Sequence, residues 1–287
     1  MPPRKPSAVG AHVFVAGGLA AAGLRYADQI GAEALQVFVS NPRGWAIPAS
    51  DTAGDESFGS TCRDRKLPVF VHSPYLVNFA SPTEATRDKS AAAVAHSLQR
   101  GRRICASGVV VHAGSAVDAF HRDQALKLMH DQLLPLLDQL DDEDPLVLIE
   151  PTAGGGQPVA AAVTDLGQLF EALEWHPRLG VCLDTCHAFA AGHDISKPGG
   201  VRAMLNALVR TVGRGRLKLI HANDSKDPLG SGRDRHTNIG TGVIGAEPFA
   251  ELFRHPATRG VPVLIETPGP VEAHLRDLAT LKSLRDS

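Results

Sequence analysis

The chain has 287 residues, of which 43% are hydrophobic and 21% charged, and its formal net charge is -2. This is the composition of an ordinary globular protein, and the near-neutral charge argues against nucleic-acid binding through a basic surface alone. No run of about 18 apolar residues is present and the N-terminus lacks an apolar signal core, so we expect neither a membrane span nor secretion. Four cysteines without paired spacing indicate reduced thiols, and we therefore expect a cytoplasmic protein.

Eight short apolar runs recur along the chain, each ending in a polar residue and each followed by a loop. In chain order they are VGAHVF, ALQVFVSN, LPVFVHS, GVVVHAG, LVLIEPTAG, GVCLDTCH, LKLIHAND and VPVLIETPG. Near-continuous runs of Val, Ile and Leu are typical of strands that are buried on both faces of a parallel sheet. The sequence therefore predicts eight parallel strands.

Helical segments lie between these runs, with apolar residues at three- to four-residue spacing. The clearest are SAAAVAHSLQRGRRICAS, DQALKLMHDQLLPLLDQL, DLGQLFEALEWH, VRAMLNALVRTVG and EAHLRDLATLKSLR, whereas TAGDESFGSTCRDRKL in the second unit predicts only a short helix. Eight strand–helix units favour an α/β fold of the (β/α)8 TIM-barrel type over an open doubly wound sheet. We expect a short flexible tail at residues 1–9 and a single barrel domain over residues 10–287.

Six consecutive predicted strands each end in a side chain that can bind a metal. Barrel enzymes carry their chemistry at these C-terminal strand ends. The six positions hold His72, His112, Glu150, Asp184, His221 and Glu266. His187 follows Asp184 by three residues, and Asp234 and His236 lie two residues apart in the loop after the seventh strand, where an extended segment would direct both to the same side.

Each of these nine side chains alone has an ordinary structural explanation. A histidine at a strand end is often a hydrogen-bonded polar cap, and a carboxylate there is often a salt-bridge partner or the N-cap of a helix. However, four carboxylates at one barrel mouth repel one another unless cations compensate, and no lysine or arginine lies at the strand ends. The coincidence of nine such residues favours bound metal ions.

The size and chemistry of the set indicate a polynuclear centre. A catalytic zinc ion usually has three protein ligands, so nine side chains predict two or three ions. Nitrogen and oxygen ligands without thiolate favour Zn, Mn or Fe over Ca or Mg. We interpret Cys182 and Cys186 as small buried groups and His12, at the end of the first run, as a hydrogen-bonded core histidine. Adjacent metal ions are typical of phosphoester hydrolysis.

These motifs resemble those of the endonuclease IV family of apurinic/apyrimidinic (AP) endonucleases, also called deoxyribonuclease IV. The resemblance runs from GAHVFVAGG at Gly10 to LIETP at Leu264, and its most specific parts are GVCLDTCHAFAAGHD and the H-x-N-D…D-R-H arrangement of His221 to His236. VHSPYLVN, VHAGS and EPTAG add to it. The resemblance implies a TIM barrel with three zinc ions per chain, for which Mn²⁺ is an alternative.

The resemblance also implies roles for individual residues of this chain. The first ion would bind His72, His112 and Glu150, the second would bind Glu150, Asp184, His221 and Glu266, and the third would bind His187, Asp234 and His236. Catalytic roles are implied for Glu150, Glu266 and His112. The implied reaction, in base excision DNA repair, hydrolyses the phosphodiester 5′ to an abasic site and leaves a 3′-hydroxyl and a 5′-deoxyribose phosphate.

The loops SNPRGW and HSPYLVN correspond to DNA-contacting loops of the family. They carry Asn41, Arg43, Trp45, Tyr75 and Leu76, which are candidates to enter the minor groove and to stabilise double-stranded DNA with the abasic site flipped out. The alternative for these residues is ordinary packing of a surface loop. We expect a monomer that associates with the nucleoid when it acts.

The chain departs from the family where Pro151 replaces the usual asparagine, and proline lacks a backbone N–H donor. The loop after Pro151 and the segment TNIGTG after His236 are also atypical. The alternative function is a metal-dependent sugar isomerase or epimerase of a related barrel type. That chemistry needs one or two ions and a closed, sugar-sized pocket, so the third ligand set and the open loops favour DNA.

Overall fold

The computed structural model describes residues 6–49, 51–154 and 156–287. Eight parallel strands close into a barrel, which confirms the predicted fold and rules out the open sheet. The barrel strands are β1 (Val9–His12), β2 (Leu35–Phe38), β3 (Val69–His72), β4 (Gly108–His112), β5 (Leu146–Glu150), β6 (Leu179–Asp184), β7 (Leu217–His221) and β10 (Val263–Ile265). Two short strands, β8 (Asp224–Ser225) and β9 (His236–Thr237), form a separate antiparallel hairpin. The first five residues of the expected tail, 1–9, lie outside the described residues.

Helices follow the strands around the outside of the barrel. They are α1 (Leu24–Ile30), α2 (Thr52–Asp64), α3 (Glu84–Arg103), α4 (Arg122–Leu137), α5 (Leu166–Ala172), α6 (Thr185–Ala190), α7 (Gly200–Val212), α8 (Pro248–Arg254) and α9 (Val271–Asp286). A π-helical turn at Leu19–Gly23 precedes α1, and 3₁₀ turns lie at Ala119–His121 and Pro256–Thr258. Within the described part of the chain, no helix has the length and apolar character of a membrane span.

Helix α2 is longer than its sequence predicts. It extends over 13 residues, although we expected only a short helix in the second unit. The Asp51 side chain caps its first turn by accepting a hydrogen bond from the Gly54 N–H at 3.0 Å. Its inner face buries Phe58, and the buried Asp55 forms a salt bridge with Arg100 of α3. These tertiary contacts outweigh the weak local helix propensity.

An apolar layer fills the barrel interior beneath the mouth. It consists of Ala34, Phe70, Val110, Leu148, Cys182, Leu219 and Leu264. Side chains alternate between the two faces of a strand, so the residue two positions later also points inward, one layer nearer the C-terminal mouth. Those residues are Gln36, His72, His112, Glu150, Asp184, His221 and Glu266. The strand period therefore places all six predicted strand-end ligands in one layer.

The first strand contributes a glycine to the apolar level because the backbones approach closely there. A Cβ atom at Gly10 would lie 1.8 Å from the carbonyl oxygen of Ala34. No side chain larger than hydrogen fits at this point. Two residues later, His12 brings the first strand into the layer that holds the predicted ligands.

Candidate metal centre

The nine side chains predicted as metal ligands meet at the C-terminal mouth of the barrel. They form three groups, and within each group one potential ligand atom per residue lies within 4.8 Å of the others. The groups are His72, His112 and Glu150; Glu150, Asp184, His221 and Glu266; and His187, Asp234 and His236. Their membership coincides with the three sets that the resemblance implies.

Glu150, at the end of β5, lies at the centre of the cluster and is completely buried. Its Oε2 atom is 3.4 Å from the Nε2 atoms of both His72 and His112. Its Oε1 atom is 2.9 Å from Nδ1 of His221. Each carboxylate oxygen thus faces a different group, which is the geometry that a bridging carboxylate requires.

The third group depends on the hairpin β8–β9. Ser225 pairs with His236, which returns the loop after β7 toward the mouth. Asp234 then lies between two histidines: its Oδ2 is 3.2 Å from His187 Nε2 and its Oδ1 is 2.9 Å from His236 Nε2. His236 Nε2 is also 3.5 Å from Asp184 Oδ2, so this group adjoins the second one.

The buried carboxylate of Asp224 organises the loop that carries His236, a role that the sequence did not reveal. It accepts hydrogen bonds from the backbone N–H groups of Ser225, Gly240, Gly242, Ile244 and Gly245. A Cβ atom at Gly242 would lie 2.5 Å from Asp224 Oδ1. The glycines of the TNIGTG segment therefore allow the backbone to wrap around this carboxylate.

Gln36 is a second residue that the sequence analysis missed. Its Oε1 is 2.9 Å from His221 Nε2, and its Nε2 donates to Glu266 Oε1 at 2.6 Å and to His12 Nδ1 at 2.9 Å. The sequence pattern predicts Asn41 as the polar end of the second strand, but β2 ends three residues earlier, at Phe38. His12 is hydrogen-bonded as expected, but it is partly exposed at the mouth rather than in the core.

Asn223 connects two members of the second group, Asp184 and Glu266, through hydrogen bonds. Its side-chain NH₂ donates to Asp184 Oδ2 at 2.7 Å, and its Oδ1 accepts from the Glu266 N–H at 2.8 Å. The other oxygen of Asp184 accepts from the His187 N–H at 2.9 Å and caps α6. Asp184 therefore acts as a helix cap, as its ordinary explanation suggested, and also belongs to the cluster.

The proline that departs from the family pattern keeps one contact to the centre. His187 Nδ1 lies 3.1 Å from the carbonyl oxygen of Pro151 and can donate to it. This acceptor is a backbone atom, which proline retains. The substitution therefore retains this contact to the His187 ring.

Protons on three of the histidines offset part of the carboxylate charge at the cluster. Burial disfavours a charged imidazole at His236, but Asp184 and Asp234 outweigh it and raise its pKa to about 9. Burial likewise opposes the charge of His187, and Asp184 and Asp234 raise its pKa well above the ordinary value. Burial would raise the pKa of Glu150, but His221 and its other histidine neighbours hold it well below its usual range. Metal binding at these nitrogens must therefore release protons.

The donor set fits a divalent transition metal. Glu150 Oε2, His187 Nε2 and His236 Nε2 are buried and have no hydrogen bond of good geometry, although carboxylate oxygens lie near both imidazoles. Such atoms cost about 1–3 kcal/mol each unless something binds them. Burial raises the pKa of Cys182 and brings that of Cys186 to about 12, so the thiol form of each is favoured although each lies close enough to join a candidate group. The nine histidine and carboxylate side chains offer nitrogen and oxygen donors.

A cavity of about 750 Å³ opens above the cluster, and its rim includes Arg43, Tyr75 and Leu76. The backbone N–H of Tyr75 donates to the Pro42 carbonyl at 3.0 Å, which joins the two predicted DNA-contacting loops. The Tyr75 ring is 5.3 Å from the ring of His72 and is 46% exposed. It therefore forms a wall between the cluster and solvent.

The other two residues predicted to contact DNA do not line this cavity. Trp45 is partly buried and packs against the hydrophobic core. Asn41 is exposed, and its Oδ1 accepts a hydrogen bond from the Arg43 N–H at 2.9 Å. Both side chains thus shape the loop that presents Arg43.

Comparisons with known proteins agree with this architecture. A family model described as a xylose isomerase-like TIM barrel matches residues 24–284. A protein from Streptomyces avermitilis named probable endonuclease 4 is 57% identical over 279 residues, which cover 97% of this chain and 90% of that protein. Another of the same name, from Streptomyces coelicolor, is 56% identical and covers 99% of this chain and 96% of that protein.

Solved structures give the same result. The crystal structure of endonuclease IV from Thermus thermophilus matches with a TM-score of 0.85 and 32% sequence identity, covering 99% of both chains. A D-tagatose 3-epimerase-like protein matches with a TM-score of 0.73 but only 15% identity, over 97% of both chains. The second likeness shows a shared fold alone.

Proposed function

Because this chain belongs to the endonuclease IV family of xylose isomerase-like TIM barrels, we propose that it is a metal-dependent AP endonuclease of base excision DNA repair. It hydrolyses the phosphodiester 5′ to an abasic site in double-stranded DNA and leaves a 3′-hydroxyl and a 5′-deoxyribose phosphate. The observation that carries this proposal is the convergence of nine side chains in three adjacent groups, two of which share Glu150, at an open barrel mouth.

We assign one zinc ion to each group, with Mn²⁺ as an alternative metal. When bound, such ions act as Lewis acids toward a phosphoester and activate water at neutral pH. His112 and Glu266 line the cavity where the scissile phosphate lies, and Glu150 beneath them is shared by two groups. These three are the catalytic residues of the proposal, while Gln36 and Asn223 hold the surrounding side chains in position.

The rim loops bind the DNA. Among the described residues no carboxylate forms a salt bridge with Arg43, so its exposed guanidinium is available for a backbone phosphate. Tyr75 and Leu76 are 46% and 37% exposed beside it, as residues that fill the space left by a flipped-out nucleotide must be. Asn41 and Trp45 support this loop from below. We further propose that the protein acts in the cytoplasm at the nucleoid, as a monomer with a single domain over residues 10–287.

The test is incision of a duplex that carries one stable abasic-site analogue, beside the matched intact duplex, with zinc-loaded protein. We expect a single cut 5′ to the lesion with an extendable 3′-hydroxyl, and loss of both bound metal and incision in His112→Ala. An uncut duplex, with about three metals still bound per chain, would mean that the centre serves another substrate. Phosphorylated and keto sugars would then test the isomerase or epimerase alternative, which shares only the fold.

A separate substitution tests the rim. Arg43→Ala should weaken binding to the abasic duplex by about 10- to 100-fold, since one charge-assisted phosphate contact contributes about 1.5–3 kcal/mol. Metal content should not change. Arg276→Ala, an exposed arginine on α9, is the matched control. Equal binding by the two variants would refute the assignment of Arg43.

A further inference from the structure

A second cavity lies at the opposite end of the barrel. Its volume is about 910 Å³, and it is bounded by α7, α8 and the N-terminal ends of β7 and β10. Lys218 projects into it from β7 and is the one exposed residue of that strand. His221 ends the same strand about 10 Å away at the catalytic mouth. We call this space the basal cavity.

The basal cavity is strongly basic. Five cationic side chains line it, against one carboxylate, Glu251: they are Arg202, Arg214, Lys218, Arg254 and Arg259. Among the described residues, none of the five forms a salt bridge with a carboxylate, whereas Arg100, Arg235 and Arg285 elsewhere in the chain do. A local excess of four positive charges thus faces one cavity in a chain whose net charge is -2.

The one carboxylate in the cavity does not neutralise these cations. Glu251 Oε1 accepts the Gly199 N–H at 2.6 Å, and its Oε2 is buried without a hydrogen-bond partner. The neighbouring His255 is neutral in effect, because burial and the nearby Arg202 lower its pKa. The net charge of the groups that line the cavity is therefore positive.

The shape of the cavity selects a small ligand. Its volume lies within the range of about 300–1,000 Å³ that is usual for small-molecule sites. A DNA duplex is instead bound along an extended basic surface. Guanidinium groups pair with phosphate oxygens through two parallel hydrogen bonds, so several arginines around one space suit adjacent phosphates better than a single carboxylate. Val209, Leu217 and Val261 add an apolar wall beside the cations.

We propose that the basal cavity binds a small polyphosphate anion. The ligand is either a nucleotide, whose base would lie on the apolar wall, or inorganic polyphosphate. This site is separate from the metal centre and does not depend on the proposed nuclease function.

The test is calorimetric titration of the metal-loaded full-length protein with ATP and, separately, with inorganic tripolyphosphate at fixed ionic strength. Arg202→Glu and Lys218→Glu should each weaken binding at least about tenfold, because each replaces a charge-assisted contact with repulsion. Arg210→Glu is the matched control, since Arg210 is an exposed arginine on the same helix, α7, outside the cavity. All three substitutions lie away from the metal centre, so metal content should stay unchanged.

Tighter binding of ATP than of tripolyphosphate would identify a nucleotide as the ligand, and equal binding would identify the phosphate chain. Three results would overturn the proposal. The first is that neither probe binds at millimolar concentration. The second is that Arg202→Glu and Lys218→Glu bind as tightly as the wild type. The third is that Arg210→Glu weakens binding as much as they do. An intact duplex that binds more tightly than both probes and responds to the same substitutions would show a nucleic-acid surface instead, which also contradicts the proposal.

Discussion

Three of the five clustered histidines contact an oxygen outside the cluster through one ring nitrogen. His72 Nδ1 lies 2.6 Å from the Ser73 carbonyl oxygen, His187 Nδ1 lies 3.1 Å from that of Pro151, and His221 Nε2 lies 2.9 Å from Gln36 Oε1. Donation to these oxygens fixes the tautomer and leaves the other nitrogen free for a metal. Two of the three acceptors are backbone carbonyl oxygens. Only the third, the side-chain oxygen of Gln36 that contacts His221, can be removed by substitution.

Gln36→Leu should therefore weaken metal binding about 10- to 100-fold, the usual effect of losing a group that orients a ligand. The substitution removes the acceptor for His221 and the donor to Glu266 together. Competition with a chelator measures the affinity. Gln139→Leu, at an exposed glutamine on the outside of the barrel, should leave it unchanged. Equal affinity in both variants would mean that Gln36 only fills space.

The histidine pKa values predict how the metal-free protein responds to pH. His236 has a folded-state pKa of about 9 against an ordinary value of 6.5, and that of His187 is raised too. Their contribution to stability is fully present below pH 6.5 and is lost as the pH rises through about 9. The pKa of Asp234 is depressed, so its charge is constant over this window.

Thermal unfolding in the presence of a chelator should thus show a melting temperature that falls from pH 6.5 to pH 9. His236→Gln should show a smaller fall, because one of the titrating groups is gone. The metal-loaded protein should lack this dependence, since its imidazoles are neutral ligands throughout. A metal-free melting temperature that rises over the same interval would contradict the charge balance described for the centre.

At the scale of strands and helices, much of the site follows from strand periodicity. The inward-facing layer contains six of the nine predicted side chains, each two residues after an apolar residue of the barrel interior. Gln36 likewise lies two residues after an apolar residue of the barrel interior, Ala34, so the strand period does predict that Gln36 faces the site. It does not stand out because a side-chain amide is not among the usual zinc ligands and the apolar run continues to Val39.

The hairpin β8–β9 and helix α2 could not be predicted in the same way. Each strand of the hairpin has two residues, which is too short for an alternating pattern. The shape of the hairpin depends on backbone N–H groups between Gly240 and Gly245, which donate to the carboxylate of Asp224. Helix α2 depends on the Asp55–Arg100 salt bridge, which joins residues distant in sequence. Both features arise from tertiary contacts that no local pattern encodes.

Asp224→Asn tests the dependence of the third group on this hairpin. Asparagine replaces one acceptor oxygen with a donor facing backbone N–H groups, so we expect a loss of about 1–3 kcal/mol in the free energy of unfolding. Bound metal should fall by one equivalent, because Asp234 and His236 lose their position. Asp165→Asn alters a carboxylate that accepts the Ala161 and Ala162 N–H groups and forms no hydrogen bond with the hairpin, so it should destabilise without loss of metal. Full metal content in Asp224→Asn would refute the coupling.

On the scale of the whole molecule, the small net charge conceals two ends of opposite character. The catalytic mouth gathers four carboxylates and five histidines, whereas the basal cavity gathers five cationic side chains that form no salt bridge among the described residues. Three divalent ions would reverse the sign at the mouth and make it attractive to a phosphodiester backbone. Overall composition thus says little about which surface binds an anion.

The measurement that tests the central claim most directly is anomalous diffraction at the zinc absorption edge, combined with metal analysis of the same crystals. The account predicts three zinc ions per chain, one in each group, with the two nearest Glu150 both bound to its carboxylate. Ligand distances should be about 2.0–2.2 Å. A single ion, or peaks that leave Asp234 and His236 without a metal, would contradict it.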